Sequence, residues 1–228
     1  MLYYTLLCCT VPCTLLCCTV LCTLLCCTVL CYTAIFQAEF APHLLGMATS
    51  SGPQATGQGI QMARHVGASL TNPDLVQLHP SGFVDPAAPS LLSKILAPEA
   101  LRGSGGILVN ASGERFCNEL GRRGYVTDQI IAHCSPYPVE LTSGRGQHTA
   151  LLVLNSRGAE AFGSEPMAFY VKRGLVRRYR DAAALCSGEG VAAVRLAETL
   201  NEYALVVSGA KDDAFGKQGR FLCRCSGC

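Results

Sequence analysis

Glu99 and Arg102 place a carboxylate and a guanidinium three residues apart, directly before a glycine-rich turn and a short apolar run, in the stretch APEALRGSGGILVNASGERF from Ala97 to Phe116. At i and i+3 the two side chains share one face of a helix. A surface ion pair of this spacing contributes little to stability. The interest of the pair is chemical: an acid and a base set against a loop whose glycines admit a ligand close to the backbone. His79 is a second candidate, at the end of DLVQLHP, where a proline stops an apolar run and leaves the imidazole at a loop mouth. A third lies in ATGQG, from Ala55 to Gly59, where glycines open a helix and free backbone N–H groups to face a phosphate or carbonyl oxygen. The last two also suit plain structural roles, as a histidine at a strand end and a glycine turn before a core helix. ERFCNELGRRG, Glu114 to Gly124, adds Arg115, Arg122 and Arg123 with Phe116 among them.

The elements that must position these residues are legible from hydrophobic spacing. Ile60, Ala63, Val66 and Leu70 recur at helical intervals after the glycines of ATGQG. Asp74 to Pro80 is expected to be a strand, and Ser93 to Gly103 a helix around Pro98. GGILVN is a short strand, Asn110 to Gly113 a turn, VTDQIIAH a helix, and Thr149 to Asn155 a second strand. Val191, Val194, Leu200, Tyr203 and Val207 mark a long helix that ends at Gly209, a C-cap. Gly188, Gly190 and Ala193 satisfy G-x-G-x-x-A, but the preceding DAAALCS lacks the β-branched residues of a nucleotide-binding strand, so the match is set aside. The middle of the chain has no zinc-ligand spacing, no G-x-S-x-G and no P-loop.

Composition divides the 228 residues sharply. Met1 to Ala38 carries no charged side chain, whereas the remainder has the mixed charge of an ordinary globular domain. A formal net charge of +2 and the lack of a basic stripe exclude nucleic acid as a partner. Nine of the 15 cysteines lie between Cys8 and Cys31 and three more at Cys223, Cys225 and Cys228; Cys117, Cys134 and Cys186 alone occupy the middle, which suits a reducing compartment. Thr5 to Cys31 is a nine-residue tandem repeat of the type TLLCCTVLC. Nine residues make two and a half helical turns, and nine is odd, so neither a helix nor a strand gives the Cys–Cys pairs one common face. This argues against a metal array. The remaining readings are translated repetitive DNA, a membrane anchor, since the run is long enough to span a bilayer, or a targeting segment. Any membrane contact is expected only through residues 1–38, and residues 221–228 are similarly foreign to what precedes them.

Four pieces taken in order, SGPQATGQG, VQLHPSGF, APEALRGSGGILVNASGERFCNEL and RRGYVTDQI, resemble the flavoproteins of the fumarate reductase and succinate dehydrogenase type. The likeness continues through LAETLNEYALVVSGAKDDAFGK, covers about Glu39 to Arg220, and is nearest to the soluble yeast and trypanosomatid fumarate reductases; L-aspartate oxidase fits less well. The resemblance implies an α+β chain: residues 39–80 as the edge of an FAD-binding domain and 81–220 as the capping domain that clamps substrate. It implies FAD as cofactor, with Ala55, Gly57 and Gln58 against the flavin, and a dicarboxylate such as fumarate or succinate as substrate. Reducing such an alkene needs a hydride on one carbon, a proton on the other, and cations or donors on the carboxylates. By resemblance His79 holds a substrate carboxylate, Arg123 donates the proton, and Glu99 and Arg102 replace it, with Glu99 also facing substrate.

Departures from the family pattern accompany these matches. Gln58 stands where the family has an acid that bonds the cofactor, Gly124 where a carboxylate follows the proton-donating arginine, and Pro98 where a threonine precedes the glutamate. No G-x-G-x-x-G strand precedes the match, and the family's second substrate histidine and arginine do not follow it. The resemblance therefore implies the centre of a longer flavoenzyme, inactive alone, with a non-catalytic remnant or gene-model fragment as the alternative and a Cys-rich metal binder further off. The compartment is left open between a membrane, if residues 1–38 act as an anchor, and the cytosol, mitochondrion or glycosome.

Overall fold

A computed structural model describes residues 38–52, 56–76, 78–136 and 148–218. Residues 1–37, Ala55 and the tail from 219 lie outside it, and with them the readings of the repeat, the Ala55 contact and the foreign C-terminus. Among the described residues no helix is long and apolar enough to cross a membrane. The chain divides between Val76 and Gln77 into two compact units.

In the first unit a 3-10 turn, Pro42–Leu44, precedes helix α1, Gln58–His65. Gly57 caps α1 in the left-handed region, φ 70°, a conformation glycine adopts without steric cost. The helix stops short of the expected Leu70: Gly67 takes φ +88°, its N–H bonds Arg64 O at 3.0 Å, and Val66 is 82% exposed. Asp74 to Val76 is a turn and not the expected strand, with Leu75 N–H on Asn72 O and Val76 N–H on Asp74 O. Asn–Pro–Asp turn chemistry outweighs the apolar residues there.

The second unit is built on a two-stranded antiparallel ribbon, β1 (Ile107–Val109) and β2 (Leu151–Val153), with Leu108 opposite Leu152. Around it lie α2 (Glu99–Gly103), α3 (Arg123–His133), α4 (Ser156–Phe162), α5 (Ser164–Lys172), α6 (Ala182–Glu189) and α7 (Ala193–Ser208). Side chains alternate across a strand. Leu108 therefore packs with Phe116, Val126 and Ile130 on the α3 side, while Ile107 and Val109 pack with Cys186, Val191 and Leu196 on the α6–α7 side. A ribbon covered on both faces explains the unbroken apolar run of β1. Leu101 of α2 enters a third cluster with Ala97 and Met167.

Two helices differ in detail from the periodicity. Ser93 to Ala97 is extended, and α2 begins only after Pro98, whose φ −59° and ψ 140° cap it. Proline disfavours helical backbone in the residue before it, and Ala97 N–H instead meets Ser81 O at 3.0 Å. In α7 the buried anchor is Leu196, fully enclosed, whereas Val194 is 72% exposed. Gly209 caps α7 in the left-handed region as expected. The G-x-G-x-x-A match falls on a helix–turn–helix: α6 runs through Gly188, and Gly190 ends it. Gly188 is there because a Cβ would lie 2.7 Å from the Tyr179 ring.

The most enclosed polar feature joins Arg115, Glu119, Asp213 and Lys217. Glu119 is wholly buried and accepts from Arg115 Nε at 2.7 Å, from Leu108 N–H at 3.1 Å and from Lys217 Nζ at 3.2 Å. Arg115 reaches Asp213 through both terminal nitrogens, at 2.6 and 2.9 Å, and lies between the rings of Tyr203 and Phe215. Lys217 Nζ donates to Gly106 O at 2.7 Å. Removing one member of a buried charge group strands its partners without solvent. Glu119→Ala is therefore expected to lower unfolding free energy by about 3–5 kcal/mol, measured by urea denaturation. Arg195→Gln, which breaks the exposed pair with Glu114, leaves the urea midpoint nearly unchanged.

Candidate active site

Backbone pairing brings the candidate residues of the second unit together. Phe83 N–H bonds Ile95 O at 2.8 Å and Ala97 N–H bonds Ser81 O, with Gly82 bridging Leu96 antiparallel. Two residues before Ser81 stands His79; two residues after Ala97 stands Glu99. The pairing thus closes the intervening loop and faces imidazole to carboxylate, with His79 Nε2 3.7 Å from Glu99 Oε1.

Glu99 is the first residue of α2 and Arg102 lies one turn on, so the i, i+3 spacing sets Arg102 Nη2 3.6 Å from Glu99 Oε1. Leu101 between them is 1% exposed and anchors the helix. Arg123 arrives from the first turn of α3. Its Nε donates to Glu99 Oε1 at 2.6 Å and its Nη2 to Oε2 at 3.2 Å, a fork-on-carboxylate contact. His79, Glu99, Arg102 and Arg123 therefore meet on one carboxylate. Gly57 and Gln58 belong to the other unit, at the start of α1.

The four differ in exposure and charge. Arg102 is buried at 3%; its Nη1 donates to the backbone carbonyl of Glu119, and its Nε is buried without a hydrogen-bond partner. Burial lowers its hold on its proton, against the attraction of Glu99. The hydrogen bonds from Arg123 hold the Glu99 carboxyl below the usual range despite some desolvation, and the same contact raises Arg123. Burial, then the charge of Arg123, lower His79 below 6.5 against the pull of Glu99. His79 Nδ1 accepts Ser81 N–H at 3.2 Å, which leaves the imidazole proton on Nε2, toward Glu99. With His79 neutral, two guanidinium groups face one carboxylate, and the site carries a net positive charge suited to an anion.

Ser81 and Glu119 act here through backbone groups, and nothing in their side-chain types marks them in the sequence. Gly124, beside Arg123, would meet nothing within 4 Å if given a Cβ, so its lack of a side chain is not imposed by packing. Cys117 and Cys134 are held as thiols at neutral pH: burial, then the nearby Glu119, push Cys117 up to about 12, and burial pushes Cys134 to about 11.

Because the folded pKa of His79 is depressed, its contribution to stability is present above 6.5 and lost as pH falls through the folded value. The imidazole is expected to titrate below 6.5 by nitrogen NMR. Arg123→Gln, which removes a nearby cation, shifts that midpoint upward.

Residues 28–219 match the FAD binding domain family. Fumarate reductase of Schizosaccharomyces pombe is 40% identical over 179 residues, 78% of this chain and 32% of that protein. Fumarate reductase 1 of Saccharomyces cerevisiae is 46% identical over 97 residues, 42% of this chain and 21% of that protein. Among solved structures, the open conformation of a flavocytochrome c3 fumarate reductase superposes with a TM-score of 0.60 at 26% identity, covering 82% of this chain and 30% of that one. The chain spans a third or less of the length of these relatives.

Proposed function

The chain belongs to the FAD binding domain family, and from that premise we propose that its second unit carries the substrate and proton-transfer side of a fumarate reductase, converting fumarate to succinate. FAD is the cofactor of the family, and the described residues fit it in kind. The first-turn N–H groups of a helix have no intrahelical acceptor, and Gly57, left-handed and without a side chain, leaves those of α1 open to a carbonyl or phosphate oxygen. Gln58 offers an amide where the related pattern has an acid. In this reading residues 39–80 are the edge of the FAD domain and 81–220 the capping domain.

One observation carries the reading: a single carboxylate, Glu99, links an exposed guanidinium to a buried one. When bound, reduced flavin supplies hydride to one alkene carbon. Arg123 gives a proton to the other. A guanidinium does not normally release a proton, and Arg123 holds its own more tightly than usual. Donation therefore requires refilling as the proton leaves: a proton passes from Arg102 to the Glu99 carboxylate and from there to Arg123, and Arg102 takes its replacement from solvent. Neutral His79 offers its Nε2–H to a substrate carboxylate, and the excess positive charge draws the dicarboxylate in and polarises it.

Support for the substrate comes from the names of the relatives together with this charge balance. The sequence contains no G-x-G-x-x-G on a strand, so we infer that the isolated chain has little turnover. The chemistry is best tested in a chimera in which residues 77–218 replace the matching segment of the fission-yeast relative. The chimera is expected to reduce fumarate, and Arg123→Ala to lower its rate by about 10²–10⁴-fold, the usual contribution of a general acid. Native turnover in the variant would remove Arg123 as the donor.

A further inference from the structure

We infer that the buried group formed by Arg115, Glu119, Asp213 and Lys217 positions Arg102, so that the loop at Asp213–Lys217 is part of the site's support. This role rests on the reading of Arg102 as the inner member of the proton relay. The segment GAKDDAFGK supplies Asp213 and Lys217, whose side chains meet Arg115, Glu119 and Gly106. Their effect on Arg102 runs through two anchor points on either side of it.

The first anchor is the Glu119 carbonyl, which accepts Arg102 Nη1. Glu119 cannot shift freely. Its carboxylate is fixed by Arg115 through two nitrogens, at 2.7 and 2.8 Å, by Leu108 N–H of β1 and by Lys217. Arg115 is itself held by Asp213. The second anchor is the glycine turn after α2. Gly106 N–H bonds Leu101 O at 3.2 Å, and Gly106 O accepts Lys217 Nζ. A Cβ on Gly106 would lie 2.6 Å from Leu101 O, so the turn fits tightly against the end of α2. The same buried ions therefore fix the acceptor of Arg102 and the turn that follows it.

The arrangement explains why Arg102 is oriented with few contacts of its own. Its Nε has no hydrogen-bond partner, and its contact with Glu99 is an ion pair at 3.6 Å, longer than a hydrogen bond. The Glu119 carbonyl is what holds the guanidinium so that Nη2 faces Glu99. Loosening Glu119 would leave Arg102 buried yet misdirected.

The test is proton exchange at the Arg102 guanidinium, followed by NMR in the full chain labelled with nitrogen-15 and compared with the amide protection of α3. Asp213→Asn is expected to speed Arg102 Nη–H exchange about tenfold, the scale of one lost hydrogen bond to a charged group, while the amides inside α3 keep their protection. Arg195→Gln, in the same unit, leaves the rate unchanged. An unchanged Arg102 rate in folded Asp213→Asn overturns the inference. If Asp213→Asn unfolds the chain, Phe215→Leu is read in its place, because it uncovers Arg115 without removing a charge. Faster Arg102 exchange in that variant supports the role, and an unchanged rate overturns it. The measurement needs neither FAD nor fumarate, so a chain without turnover still decides the matter of positioning.

Discussion

Two acids and two bases have their side chains almost wholly withdrawn from water in the second unit, and the placement of its other parts depends on their mutual satisfaction. Charges removed from water are tolerated only when each is paired and its remaining donors and acceptors are met. Glu119 meets that condition with Arg115, Lys217 and a strand N–H, and Arg115 meets it with a second carboxylate and two aromatic faces. This requirement ties the loop after α7 to the start of β1 and to the turn behind α2. A wholly apolar filling could supply comparable burial, but it would not dictate which backbone carbonyl Arg102 meets.

The site is assembled on this frame by short local devices. Antiparallel pairing of residues 81–83 with 95–97 faces His79 to Glu99, one helical turn adds Arg102, and the first turn of α3 brings Arg123. Three elements thus converge on one carboxylate. The electrostatics follow from the geometry. Arg123 lowers Glu99 by direct hydrogen bonding and, after burial, is the larger of the charge effects that lower His79. With His79 neutral, the two guanidinium groups outnumber the one carboxylate, and the imidazole adds a hydrogen-bond donor at Nε2.

Legibility in the sequence followed contact range. Glu99 and Arg102 were readable as a pair because i, i+3 geometry is local, β1 and β2 because each is a short apolar run, and α7 because apolar residues recur along it at helical spacing. His79 was readable as a residue able to do chemistry, while its support was misread: Leu75 and Val76 suggest a strand, but turn residues precede them and the true pairing begins at Ser81. The helix expected through Pro98 failed for a reason present in the sequence, the constraint proline places on Ala97. The buried charge group was illegible. Arg115 and Asp213 are 98 residues apart and Lys217 and Gly106 are 111 apart, and nothing in ordinary charged residues of polar stretches announces their withdrawal from water. The role of the Glu119 carbonyl was further hidden, since it belongs to the backbone.

Glu99 forms one electrostatic unit with the guanidinium groups beside it. Carbon-13 NMR of the Glu99 carboxyl, titrated in the native chain and in Arg123→Gln, tests this most directly. The native midpoint is expected below the ordinary 4.5 and climbs toward it when Arg123 is removed. A Glu99 midpoint at its ordinary value and identical in both proteins would contradict it.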